Sequence, residues 1–131
     1  MLITDPISDM FIRIKNALLA KKEETVIPHS KMKEAIISKL KENNYILDYE
    51  IIEKKPQKQI MVKLKYVDSI PAISGLKRIS SPGRRLYASS KKIPKTLNNF
   101  GMTLVSTSKG ILTDKEARKI NVGGELIFQI W

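Results

Sequence analysis

Ile7, Phe11, Ile14 and Leu18 recur at intervals of four, three and four residues, the spacing that lines one side of an α-helix. Arg13, Asn16 and Ala20 fall on the more polar sides. Asp5-Pro6 places a capping residue before a proline at the first helical position, where its missing N–H costs nothing. A helix is predicted over 5–21. Thr25-Val26-Ile27-Pro28 reads as a short strand. Ser30 then caps a second helix whose stripe is Met32, Ile36 and Leu40, with Ala35 and Ile37 beside it and Asn43-Asn44 as its stop. Segments 48–54 and 59–66 carry strand residues, with Pro56-Gln57 in the turn between them. Ile60, Val62 and Leu64 alternate with Met61, Lys63 and Lys65, which suits one buried and one solvated face. The first half is an α-β-α-β-β unit.

Segment 67–74, with Pro71 inside it, is the expected linker. After it come a strand over 73–80, a turn at Ser81-Pro82-Gly83 and a strand over 85–88. Ile93-Pro94 leads into a short helix closed by Gly101, and Met102-Thr103-Leu104-Val105 is the next strand. Thr113-x-x-Glu116 spells a capping box for a helix over 114–120. Gly123-Gly124 marks a tight turn into the apolar final strand, 126–130. The fold class is therefore α+β, with an N-terminal α/β domain over 1–66 and a mostly β C-terminal domain with short helices over 67–131. A domain of about 60 residues buries only about 60% of its unfolded surface. The halves are accordingly expected to pack on each other or to gain stability from a bound partner.

Charge sharpens this picture. The chain has 131 residues and a formal net charge of +11. Residues 67–131 hold 11 basic and 4 acidic groups, against 13 and 9 in residues 1–66. From Ser69 to Thr113 there is no Asp or Glu over 45 residues, while eight Lys and Arg occur. A solvated lysine coat normally mixes signs; a long acid-free stretch faces a polyanion. Nucleic acid fits, because each neutralised phosphate releases counterions. With no cysteine, disulfides, thiolate zinc sites and cysteine nucleophiles are excluded. No His/Asp/Glu cluster has metal-ligand spacing, so no cofactor, metal or catalytic residue is expected. His29 has no nearby acid and base pairing and reads as a boundary residue. No secretory signal is visible at Met1–Pro6, and no apolar run approaches the roughly 18 residues of a membrane span.

The candidate chemistry lies in the second half. Ser106, Thr107, Ser108, Lys109 and Gly110 follow a strand and precede a capped helix, as an exposed loop would. Hydroxyls that donate and accept suit ribose 2′-OH groups and base edges in the shallow minor groove of A-form RNA; capping of local backbone is the competing use. The same residues spell Ser-x-x-Lys, the motif of a small hydrolase, but that chemistry wants the serine at the start of a helix. In a strand after Arg84, Arg85 and Tyr87 share one face and Leu86 takes the other, leaving a guanidinium and a phenol to clamp phosphate and stack on a nucleotide. Lys55 flanks a hairpin tip. Glu125, a lone acid in a basic half, either belongs to the turn or orients an arginine and accepts from a base or ribose. A general DNA-binding module is the main rival, yet no recognition helix rich in Arg, Asn and Gln is present.

Five motifs occur together and in order: Asp5-Pro6-Ile7-Ser8-Asp9-Met10, the run from Leu76 to Tyr87, Ser106-Thr107-Ser108-Lys109-Gly110, the run from Thr113 to Arg118, and Gly123-Gly124-Glu125. With them the chain resembles, over essentially its whole length, the bacterial-type family of the eighth protein of the small ribosomal subunit. Phe128 departs from the cysteine of many relatives, and Ser81 from a common basic residue. The resemblance implies a cytoplasmic, non-enzymatic protein of two α/β domains in the ribosome. Its implied partners are the central domain of small-subunit rRNA, neighbouring small-subunit proteins and, in some members, the messenger of its own operon. It also implies that the C-terminal domain carries the main RNA surface and that the protein helps organise the platform. By motif, Ser106 to Gly110 lead that surface, with Tyr87, Arg84 and Arg85 next and the Gly123-Gly124-Glu125 turn close by.

Overall fold

Asp5 and Pro6 start the first helix in the way their order in the chain dictates. The Asp5 carboxylate accepts from the Ser8 N–H at 3.2 Å, and Pro6 is the first helical residue. Helix α1 (Pro6–Leu19) turns Ile7, Met10, Phe11, Ile14, Ala17 and Leu18 inward. The computed structural model of the chain describes residues 5–53, 57–94 and 101–131, which divide into two units between Ile73 and Ser74.

In the first unit, strand β1 (Glu24–Pro28), helix α2 (Lys31–Glu42), strand β2 (Ile46–Ile52) and strand β3 (Gln59–Leu64) complete the predicted order. The sheet is antiparallel with β3 between β1 and β2. Alternation holds along β3, where Ile60, Val62 and Leu64 are buried and Met61 and Lys63 only partly so. The helices lie on the outer strands, α1 on β1 and α2 on β2. Ser30 caps α2 by accepting from the Lys33 N–H at 3.1 Å. Past its end, Asn44 takes a left-handed φ of 63°, which asparagine tolerates.

Three first-unit expectations change. Strand β2 starts earlier than the pattern suggested, because a bulge at Leu47 breaks the alternation between Ile46 and Asp48. The presumed linker holds a hairpin of β4 (Tyr66–Val67) and β5 (Ile70–Pro71). Its turn uses Asp68 and Ser69 at φ 53° and 67°, the primed-turn conformation without its usual glycine. His29 is not alone either, since its Nε2 lies 2.7 Å from Glu34 Oε1.

In the second unit, strand β10 (Gly124–Ile130) is central. It pairs with β8 (Met102–Thr107) on one side, and with β6 (Leu76–Arg78) and β7 (Tyr87–Ala88) on the other; β9 (Gly110–Thr113) pairs with β8. Strands β6 and β7 are shorter than predicted, and a 3₁₀ turn over Ser90–Lys92 precedes Ile93. Residues 95–100 of the helix expected before Gly101 lie outside the described residues. The capping box at Thr113 is formed: Thr113 Oγ1 accepts from the Glu116 N–H at 3.2 Å, and Glu116 Oε1 accepts from the Thr113 N–H at 3.1 Å. It opens helix α3 (Asp114–Lys119). Buried Asp114 ties α3 to β8 by accepting from the Thr103 N–H at 3.3 Å and from Arg118 at 2.9 Å. Val105, Leu126, Ala117 and Ile93 make the core under this helix, with Ile79, Ala88, Leu112 and Val122 around them. Truncating one such side chain, as in Leu126→Ala, costs about 2–5 kcal/mol.

Candidate RNA-binding surface

The final strand sets the geometry of the site. Val105 and Leu126 are cross-strand partners on the core side, so the next pair along, Ser106 and Glu125, faces the other way. Glu125 also pairs with Tyr87, and Ser106 with Ile111. Four strands thus bring Tyr87, Glu125, Ser106 and Ile111 into one transverse row. Along β8 from Met102 to Val105 both faces are buried; at this end the row opens, with Tyr87 69% exposed.

Arg85 folds back onto the row. Its Nη1 donates to Glu125 Oε2 at 3.0 Å, with the carboxylate largely covered and the guanidinium half-exposed. Arg85 precedes β7 and so lies outside the strand that the sequence predicted for it; the ion pair brings it to the row beside Tyr87, the strand partner of Glu125. Arg84 sits at the close of the Ser81–Arg84 turn, where Ser81 and Arg84 exchange backbone hydrogen bonds at 2.9 and 3.0 Å. It is exposed and makes no ion pair among the described residues. The two arginines therefore differ: Arg85 is held against an acid within the row, and Arg84 projects from the turn beside it.

Ser106 to Gly110 are not a free loop, as the sequence suggested. Ser106 and Thr107 end β8, Gly110 begins β9, and only Ser108 and Lys109 turn between them. Gly110 takes φ +105°, a conformation that a side chain disfavours and that lets a short turn close between twisted strands. The three hydroxyls do not behave alike. Thr107 Oγ1 donates to the Gly110 carbonyl at 2.8 Å and accepts from the Lys109 N–H at 3.0 Å. Those of Ser106 and Ser108 make no hydrogen bond among the described residues. Ser108, Lys109 and Gly110 are exposed.

Gly124 has a function that a turn reading misses. A Cβ on it would stand 2.1 Å from the Ser106 carbonyl oxygen, so only glycine lets β10 lie this close to β8 beside the site. The turn itself falls earlier, at Asn121 with φ 57°. Lys55 lies outside the described residues. Ser106 is on a strand and Lys109 in a turn, so the helical spacing that would set this lysine over this serine is absent. Among the described residues no group of three or more His, Asp or Glu is placed to hold a metal.

Fold and site together define a small α+β binding protein whose open sheet end carries cations, hydroxyls and one tyrosine. The Ribosomal protein S8 family model matches residues 5–131. The chain is 52% identical to the small ribosomal subunit protein uS8 of Mycoplasmopsis synoviae over 132 residues, covering 100% of both chains. It is 50% identical to that of Dictyoglomus turgidum, again over 100% of both, and 51% identical to that of Persephonella marina over 99% of this chain and 100% of the relative. The chain belongs to the ribosomal protein S8 family. It is a structural, non-enzymatic constituent of the small ribosomal subunit, a class that is cytoplasmic in bacteria, and ribosomal RNA and other ribosomal proteins are its expected partners.

Proposed function

We propose that this protein binds the central domain of small-subunit rRNA through the open end of its second unit, and that it supports assembly of the platform by fixing that RNA. The observation that carries this reading is the row Tyr87–Glu125–Ser106, continuous with the Ser108-Lys109-Gly110 tip. Lys109, Arg84, Arg85 and Lys55 supply attraction to phosphate. Ser106 and Ser108 read ribose and base edges, Tyr87 stacks on or bonds to an unstacked nucleotide, and Glu125 accepts from a base amino group or a 2′-OH. A messenger of the same operon is bound wherever it folds into a similar irregular helix.

Competition titration tests this directly. The wild-type protein is expected to prefer a central-domain rRNA helix with internal irregularities over a matched DNA duplex. The double variant Ser106→Ala/Ser108→Ala should lose about 1–3 kcal/mol on the cognate RNA, the scale of two hydrogen bonds removed from a covered interface, and little on random duplex. Equal loss on both would reduce the tip to generic contact.

A further inference from the structure

The Ser-Thr-Ser run divides into two jobs, and we infer that Thr107 is a positioning residue rather than an RNA contact. Resting on the RNA-binding reading above, this assigns to Thr107 the pre-organisation of Ser108 and Lys109. A threonine hydroxyl has one proton to donate. In Thr107 that proton goes to the Gly110 carbonyl at 2.8 Å, and one lone pair accepts the Lys109 N–H at 3.0 Å. Both bonds lie inside the four-residue tip from Thr107 to Gly110. A hydroxyl committed in this way has no proton left for a 2′-OH, base or phosphate oxygen. Its neighbours Ser106 and Ser108 keep theirs.

The staple matters because the tip is short and outside the core. The side chains of Ser108 and Lys109 are exposed and make no hydrogen bond or ion pair among the described residues. Without Thr107 Oγ1 the Lys109 N–H loses its partner inside the turn, and ordering the tip adds to the cost of binding. The β-branched side chain adds to this, since its χ1 is restricted in a strand.

The test is a set of variants titrated with the central-domain rRNA helix. Thr107→Val keeps shape but removes the hydroxyl, and is expected to weaken binding about tenfold; Thr107→Ser keeps the hydroxyl and should stay within about twofold of wild type. In a Ser108→Ala/Lys109→Ala background, Thr107→Val should cost nothing further, because its effect runs through those two residues. In the RNA-free protein, the Lys109 amide should exchange with solvent faster in Thr107→Val than in wild type. The inference is overturned by unchanged RNA affinity in Thr107→Val, by failure of Thr107→Ser to restore it, or by a loss that adds in full to that of the double variant. A wild-type protein that ignores the rRNA helix would instead overturn the RNA-binding reading, while the Lys109 amide would still report on the staple.

Discussion

Glu125 shows what one residue does in a field of opposite charge. Its carboxylate holds Arg85 at 3.0 Å and stands between Tyr87 and Ser106. An acid at the centre of a cationic face repels a phosphate that approaches without a donor beside it, and so favours an RNA that offers an amino group or a 2′-OH there. Glu125→Gln should bind random duplex RNA more tightly and the cognate helix less tightly, so that the ratio of the two dissociation constants falls about tenfold, the worth of one charge-assisted hydrogen bond. Unchanged selectivity in paired titrations would leave Glu125 as a strand residue only. The sequence already offered arginine orientation as one reading of Glu125, because a lone acid in a basic half stands out. It did not separate Thr107 from its two serines. Which hydroxyl turns inward depends on the partner across the turn, and three adjacent hydroxyl residues look alike until the register is known.

Among the elements, those with local signals were legible and those defined by a distant partner were not. Helices α1, α2 and α3 announce themselves by capping residues and apolar spacing. Strand β9 does not, since it exists by pairing with β8 and its residues otherwise read as part of a loop. Gly124 was readable as a glycine but not as the point where β10 nears the Ser106 carbonyl. Gly124→Ala should therefore destabilise the second unit by about 1–3 kcal/mol through overpacking and weaken RNA binding with it. Thermal unfolding at wild-type temperature would contradict this. In the first unit, Lys33 is buried and donates to the Pro28 carbonyl at 3.2 Å. Burial pushes its ammonium below the ordinary 10.5, opposed by nearby Asp9 and reinforced by Arg13. The unfolded chain then holds more protons in the window below 10.5, so stability should rise with pH through that window. Urea unfolding at rising alkaline pH should show this gain in wild type and not in Lys33→Met; parallel curves would remove Lys33 as the cause.

At the scale of the molecule, charge distribution carries the functional reading and sequence alone displays it. The acid-free stretch from Ser69 to Thr113 includes Arg84, Arg85, Tyr87 and the whole Ser106–Gly110 tip. The fold brings Arg85, Tyr87 and the Ser106–Gly110 tip of that stretch to one open sheet end, while Lys77 and Arg78 pair at the other end of β10; this step needs the β7–β10–β8 pairing, and no local pattern supplies it. If about four to seven phosphates are neutralised, log affinity against log salt should fall with a slope of about −4 to −6, and Lys109→Ala should reduce it by roughly one unit. A flat salt response would contradict a phosphate-facing surface.

Crosslinking within purified small subunits, mapped to residue and nucleotide, tests the central claim most directly. Tyr87, Ser108 and Lys109 should join to nucleotides of the rRNA central domain, at or beside an irregularity in a helix. Crosslinks from these residues to protein alone, or to RNA of another domain, would contradict it.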